Sequence, residues 1–174
     1  LHDTPPASGT VTTVADGILW ARLPLPFRLN HVNVWFLAEP EGWTAIDSGA
    51  DTPETRAIWE ALFQKPLSHR PLVRHIATHG HTDHIGLSGW LVDRFDIPFV
   101  STLIEWMSPQ ARRTESASPD YQKHAERYLR QLGCSEAVIE GFRDDRHWAG
   151  ALLYPMPPGL HRIRDGEEIG FGGH

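Results

Sequence analysis

The sequence has a single cysteine, Cys134, in 174 residues. No internal disulfide can form, and a reducing compartment, the cytoplasm, is the expected location. Cys134 reads as a small apolar residue near a helix start rather than as a nucleophile. No apolar run approaches the length of a bilayer-spanning helix, so no membrane partner is expected. The stretch Leu1-His2-Asp3-Thr4-Pro5-Pro6 lacks a basic region followed by an apolar one, so no signal peptide is visible in it. Positive charge is in deficit: 16 Lys and Arg against 22 Asp and Glu leave a net charge of −6. A general nucleic-acid binder carries a basic patch, so nucleic acid is not an expected partner. No internal repeat or low-complexity tract is present. The remaining composition, 40% hydrophobic and 22% charged, is that of a globular domain with one core of ordinary size.

Histidine, by contrast, is plentiful, with 11 in the chain. Three of them and an aspartate fall within six positions, in Ala77-Thr78-His79-Gly80-His81-Thr82-Asp83-His84-Ile85-Gly86. The apolar run 72–77 before this stretch reads as a buried strand, and the residues from Gly86 onward read as a helix. A strand end turning into a helix is where α/β proteins place their sites. His79 and His81 are two apart, so an extended backbone points both to one side. Two imidazoles there can grip one ion. Asp83 and His84 sit where the chain bends and can aim at a second ion. Neutral imidazole with carboxylate suits a divalent transition metal, zinc first. Gly80 and Gly86 lack a Cβ, which lets the loop turn tightly and the helix pack near the strand.

The rest of the chain supplies a scaffold. Residues 1–9 are expected to be loose. Residues 11–14 and 18–23 pair as a hairpin about Asp16-Gly17. The two prolines of 24–30 read as a loop with exposed apolar tips. Residues 32–37 and 43–47 are further strands. Thr52-Pro53-Glu54 opens a helix that stops near Pro66, with Ile58, Trp59, Leu62 and Phe63 on its apolar face. Residues 97–101 form another short strand. Residues 102–145 change character and read as a helical insert, with a third helix from Ser135 through Phe142. The segment 146–160 reads as an irregular crossing, and strands are expected at 160–164 and from Glu168 to Phe171. The β-α-β-α-β order gives an α/β fold with a partly parallel sheet.

The motif His79-x-His81-x-Asp83-His84 resembles the signature of the metallo-β-lactamase superfamily, which includes glyoxalase II-type thioesterases, lactonases, β-lactamases and RNA-processing nucleases. Ala45-Ile46-Asp47-Ser48-Gly49 is a second matching piece. The resemblance runs from the strands near Val11 to Asp165-Gly166. It implies an αββα sandwich of two similar halves, of which residues 1–174 would be the N-terminal half plus helical insert, with the second half largely missing. It assigns His79 and His81 to a first metal and Asp83 and His84 to a second, two zinc ions in a complete site, with iron or manganese as alternatives. Asp47 would steady the loop from behind. Asp83 is also the candidate catalytic residue that guides protons. The family's third histidine, bridging aspartate and last histidine have no match here. His147 and His161 are weak substitutes on spacing, and His174 belongs to a strand rather than to a ligand motif.

The activity implied for the complete protein, though not necessarily for residues 1–174 alone, is hydrolysis of an ester, thioester, lactone or amide of a small-molecule substrate by a metal-bound hydroxide. The alternatives are a non-catalytic half-domain with a weak or empty metal site, and a nuclease-branch member. A half-sandwich leaves a sheet face bare. Exposing on the order of 1,000 Å² of apolar surface costs roughly 25 kcal/mol, more than a domain's net stability. Self-association, as a homo-oligomer or through that face, is therefore expected.

Overall fold

Asp16 and Gly17 make the turn of the first hairpin, with Gly17 at a φ of 69°. Strand β1 (Thr12–Ala15) leads into the turn and β2 (Ile18–Pro24) leaves it. The computed structural model describes residues 4–26, 28–115 and 118–171, with the side chains of 114, 115, 119 and 144–149 outside the description. β3 (His31–Ala38) and β4 (Trp43–Ile46) continue the meander, with Trp20 opposite Trp35 and Trp35 opposite Ile46. β2 ends at Pro24, where a proline removes no interior ladder bond. Of the expected exposed tips that follow, Leu29 is exposed but Leu25 is buried. Phe27 lies outside the described residues.

Three crossovers turn the rest of the sheet parallel. Helix α1 (Pro53–Gln64) starts under a Thr52 cap whose hydroxyl accepts the Thr55 N–H at 3.0 Å, and it leads to β5 (Leu72–Ile76), parallel to β4. The helices α2 (Thr82–Ile85) and α3 (Ser88–Phe95) lead to β6 (Phe99–Ser101). Then α4 (Leu103–Glu115), α5 (Pro119–Gln131) and α6 (Glu136–Ala151) lead to β7 (His161–Arg162). Among the described residues, the seven strands lie in the sheet in their order along the chain.

Three expectations need correcting. The helix expected from Gly86 begins earlier, at Thr82, and is interrupted at Gly86-Leu87. The third insert helix runs past Phe142 to Ala151 and takes in the start of the expected crossing segment. Residues 168–171 form no strand, and β7 is only two residues long. Among the described residues β7 is the last strand of the sheet, with β6 as its one neighbour.

The alternation of each strand sets two unequal faces. Leu23, Val34, Phe36 and Ala45 are fully buried beneath Trp59 and Leu62 of α1 and Leu91 of α3. Phe36 meets Trp59 edge-on at 5.5 Å between centroids. A second cluster, Ala77, Ile85, Phe99 and Leu153, closes the core below the His-rich loop. On the opposite face Ile18, Trp20, Trp35, Leu37 and Ile46 are only half-buried. Among the described residues no helix is long and apolar enough to cross a membrane.

Candidate metal centre

The site is built where β4 and β5 end side by side. β4 stops at Ile46, and Asp47 takes a φ of 64°, a left-handed conformation that aspartate tolerates better than most residues. The turn is held on three sides. The Asp47 N–H donates to the Ile76 carbonyl, the Ser48 N–H donates to the His84 carbonyl, and Trp59 Nε1 donates to the Ser48 carbonyl, each at 2.8 Å. The Asp47 side chain is 6% exposed and faces the next strand end. Its carboxylate accepts the Thr78 N–H at 2.8 Å, the Thr78 hydroxyl at 2.9 and 3.0 Å, and a hydrogen bond from His84 Nδ1 at 2.7 Å. One buried carboxylate thus fixes both ends of the His-rich loop.

Four side chains converge on the loop's open side. His79 Nε2 and His81 Nδ1 lie 3.0 Å apart. His84 Nε2 and Asp83 Oδ2 lie 3.3 Å apart. The two pairs adjoin, because the His79 and His84 rings sit 4.0 Å apart between centroids. The donors therefore come as two pairs, imidazole with imidazole and imidazole with carboxylate. Two nitrogens on one tetrahedral zinc are separated by roughly 3.3 Å, given Zn–N bonds near 2.0–2.1 Å. The His79–His81 spacing is close to that, so atom type and separation fit a zinc-like ion. Among the described residues, no group of three or more His, Cys, Asp or Glu is placed to surround one ion.

Charge is distributed unevenly within this cluster. Burial works against a cation at His84, yet hydrogen bonds to Asp47 and Asp83 on its two nitrogens hold its pKa up at about 9. Its bond to His84, with the neighbouring positive charge, depresses Asp83 below the ordinary carboxylate value, partly opposed by burial. Burial, and then the neighbouring His84 and His81, push His79 down. His79 is thereby kept as the neutral imidazole that a metal requires.

Glycines and a distant helix hold the loop from outside. A Cβ on Gly86 would lie 2.4 Å from the Thr82 carbonyl oxygen, 2.7 Å from that of Gly49 and 2.8 Å from the Ala50 Cα. Backbone-to-backbone contact requires glycine there, as expected. Gly80 is different. It is not among the glycines at positive φ, so no tight turn demands it. Its N–H donates to Glu105 Oε2 and its carbonyl accepts from Arg112 Nη2, both from α4. On the loop's inner side His75 is fully buried, with Nε2 2.8 Å from the Ser88 hydroxyl, and burial lowers its pKa to about 4. The segment after α6 crosses here too, with the Tyr154 N–H on the Gly86 carbonyl at 2.8 Å.

All five residues singled out by motif, Asp47, His79, His81, Asp83 and His84, therefore meet in one place. His161 stands apart from them, exposed on β7 and paired with Val100. The His147 side chain and all of His174 lie outside the description. Sequence reasoning missed Thr78, Ser48, His75, Glu105 and Arg112. Thr78 directly precedes the motif and could have been included. Glu105 and Arg112 lie 25 and 32 residues from Gly80, and no local pattern connects them to it.

The family model of the metallo-beta-lactamase superfamily matches residues 28–173. A probable metallo-hydrolase of Bacillus subtilis is 25% identical over 145 residues, covering 74% of this chain and 45% of its own length. A beta-lactamase domain protein from Burkholderia ambifaria superposes with a TM-score of 0.80 at 31% identity, over 98% of this chain and 48% of that one. A metallo-beta-lactamase family protein from Thermus thermophilus superposes with a TM-score of 0.66 at 21% identity, over 92% of this chain and 50% of that one. This chain thus spans about half the length of the relatives it matches. With a sheet whose adjoining strand ends carry Asp47 and the His79-to-His84 loop, and a family match over most of its residues, the chain belongs to the metallo-β-lactamase superfamily.

Proposed function

We propose that this chain carries the metal-binding loop of a dinuclear zinc hydrolase acting on an ester, thioester, lactone or amide of a small molecule. The observation that carries the reading is the pairing of donors: His79 Nε2 with His81 Nδ1, and Asp83 Oδ2 with His84 Nε2, on adjoining sides of one loop. His79 and His81 would hold one ion, and Asp83 and His84 the other. Bound metal supplies Lewis acidity, lowering the pKa of water towards neutrality and polarising a carbonyl. The chain's own residues supply the rest. Asp47 orients the His84 ring through Nδ1 and leaves Nε2 on the side of the Asp83 carboxylate. Asp83 is the carboxylate on the open side of the loop and is placed to take and return a proton.

The test is metal content together with hydrolysis of a panel of esters, thioesters, lactones and amides. A chain extended through the second half is expected to cleave at least one class in a zinc-dependent manner. The His81→Ala, Asp83→Ala double variant is expected to lose both zinc and turnover. Full activity in that variant would refute the assignment.

A second reading is favoured by one observation. The donors are grouped in twos, with no set of three among the described residues. A non-catalytic half-domain with a weak metal site, acting in self-association, fits that grouping. It requires substoichiometric zinc after dialysis and no hydrolysis of any substrate class.

A further inference from the structure

The loop's donor pairs are held from below by Asp47, but the residue between His79 and His81 is held from elsewhere. Two peptide groups flank Gly80. One joins it to His79 and offers an N–H; the other joins it to His81 and offers a carbonyl. The N–H donates to the Glu105 carboxylate and the carbonyl accepts from the Arg112 guanidinium. Each partner carries the charge that its backbone group prefers, an anion on the donor and a cation on the acceptor. Charge-assisted bonds of this kind are roughly twice as strong as neutral ones. Gly80 itself is buried, so both groups need partners.

The absence of a side chain at Gly80 is explained by the same contact. A Cβ there would lie 2.9 Å from Glu105 Oε2, 2.9 Å from Ser108 Oγ and 3.2 Å from Arg112 Nη2. All three are tips of side chains on one face of α4. The glycine leaves room for α4 to reach the loop. A two-residue spacing between donors also makes the loop sensitive at this point. Rotating either peptide of Gly80 swings one imidazole relative to the other and changes the 3.0 Å separation of His79 Nε2 and His81 Nδ1.

We propose that Glu105 and Arg112 are positioning residues that clamp the two peptides of Gly80 and thereby set the spacing of the His79–His81 donor pair. This rests on the functional reading above. The helical segment after β6 is then part of the metal site's support, although it contributes no ligand. Partners that orient ligands from behind typically change metal affinity by 10–100-fold when removed.

The experiment measures zinc affinity by competition with a chromophoric chelator, alongside the Gly80 amide proton shift and urea unfolding of the metal-free protein. Glu105→Ala, Arg112→Ala and Gly80→Ala are each expected to weaken zinc about tenfold. Glu105→Gln keeps a carbonyl oxygen for the Gly80 N–H and is expected to recover most of that loss. The Gly80 amide proton is expected downfield in wild type and shifted upfield in Glu105→Ala. If α4 only packs against the loop, each loss of affinity would follow a matching loss of metal-free stability, and Glu105→Gln would rescue nothing; that result overturns the clamp. Wild type that holds zinc, with variants that hold it equally well, overturns the clamp alone. Wild type that holds no zinc overturns the functional reading and the clamp with it.

Discussion

At the scale of single residues, two histidines, half-buried His84 and buried His75, pull the stability of the metal-free chain in opposite directions with pH. His84, between Asp47 and Asp83, has a folded-state pKa of about 9 against an ordinary 6.5. A raised pKa means that the folded state holds the proton more tightly. The stabilisation is fully present below pH 6.5 and is lost as pH rises through about 9. A gap of that size is worth about 3 kcal/mol at full effect, and solvent screening reduces it, since the ring is 24% exposed. His75 behaves oppositely. Its folded pKa of about 4 lies below 6.5, so its contribution is present above pH 6.5 and lost as pH falls through about 4. Urea unfolding of the metal-free protein across this range should therefore show a stability maximum with a shoulder on each side. Asp47→Asn removes the charge bonded to His84 Nδ1 and should flatten the alkaline limb; the same charge also partly offsets the effect of burial on His75, so the acid limb should extend to lower pH. His75→Gln should flatten the acid limb only. An alkaline limb unchanged by Asp47→Asn would show that the Asp47–His84 pair carries no net charge coupling.

At the scale of elements, the interruption between α2 and α3 is a packing requirement. The site needs Gly86 because three backbone atoms, from Thr82, Gly49 and Ala50, already occupy the space of its Cβ. No side chain can swing aside to relieve that contact. Gly86→Ala should therefore cost at least 1–3 kcal/mol, the usual penalty of overpacking, read as a lower urea midpoint with an unchanged slope. Gly80→Ala meets only side-chain tips and should leave the metal-free midpoint nearly unchanged. The two glycines looked alike in the sequence, and the contrast marks what local pattern can and cannot carry. The apolar run of residues 32–37, the Thr52 cap and the stripe Ile58, Trp59, Leu62 are local signals, and each led to the observed element. His79, His81, Asp83 and His84 were legible because they fall close together along the chain, whereas Asp47, far from them in sequence, was legible only through the separate piece Ala45-Ile46-Asp47-Ser48-Gly49. The early start at Thr82 and the break at Gly86 were not, because tertiary neighbours set both. Nor was the Glu105–Gly80–Arg112 contact, which joins residues 25 and 32 positions apart through the return of α4 onto the loop.

At the scale of the whole molecule, the two sheet faces differ in what covers them. One is sealed by α1 and α3. The other presents Ile18, Trp20, Trp35, Leu37 and Ile46 half-buried, with the two tryptophan rings stacked 6.0 Å apart. The chain also spans about half the length of its matched relatives. We propose that, taken alone, this chain covers that face with the same face of a second copy. Apolar burial drives such pairing, and it depends on concentration because association costs translational freedom. Sedimentation velocity should show weight-average mass rising with protein concentration. Trp35→Lys puts a charge at the centre of the stacked pair and should hold the protein monomeric. Its circular dichroism should stay that of wild type, because Trp35 lies on the face away from the α1–α3 core. Zinc titration separates the roles of face and loop. Trp35→Lys should keep the His79–His81 and Asp83–His84 pairs intact, so any zinc bound within one chain is retained, whereas zinc lost together with association would mean that ligands are shared across the pair. A wild-type chain that stays monomeric at every concentration would rule out pairing through this face.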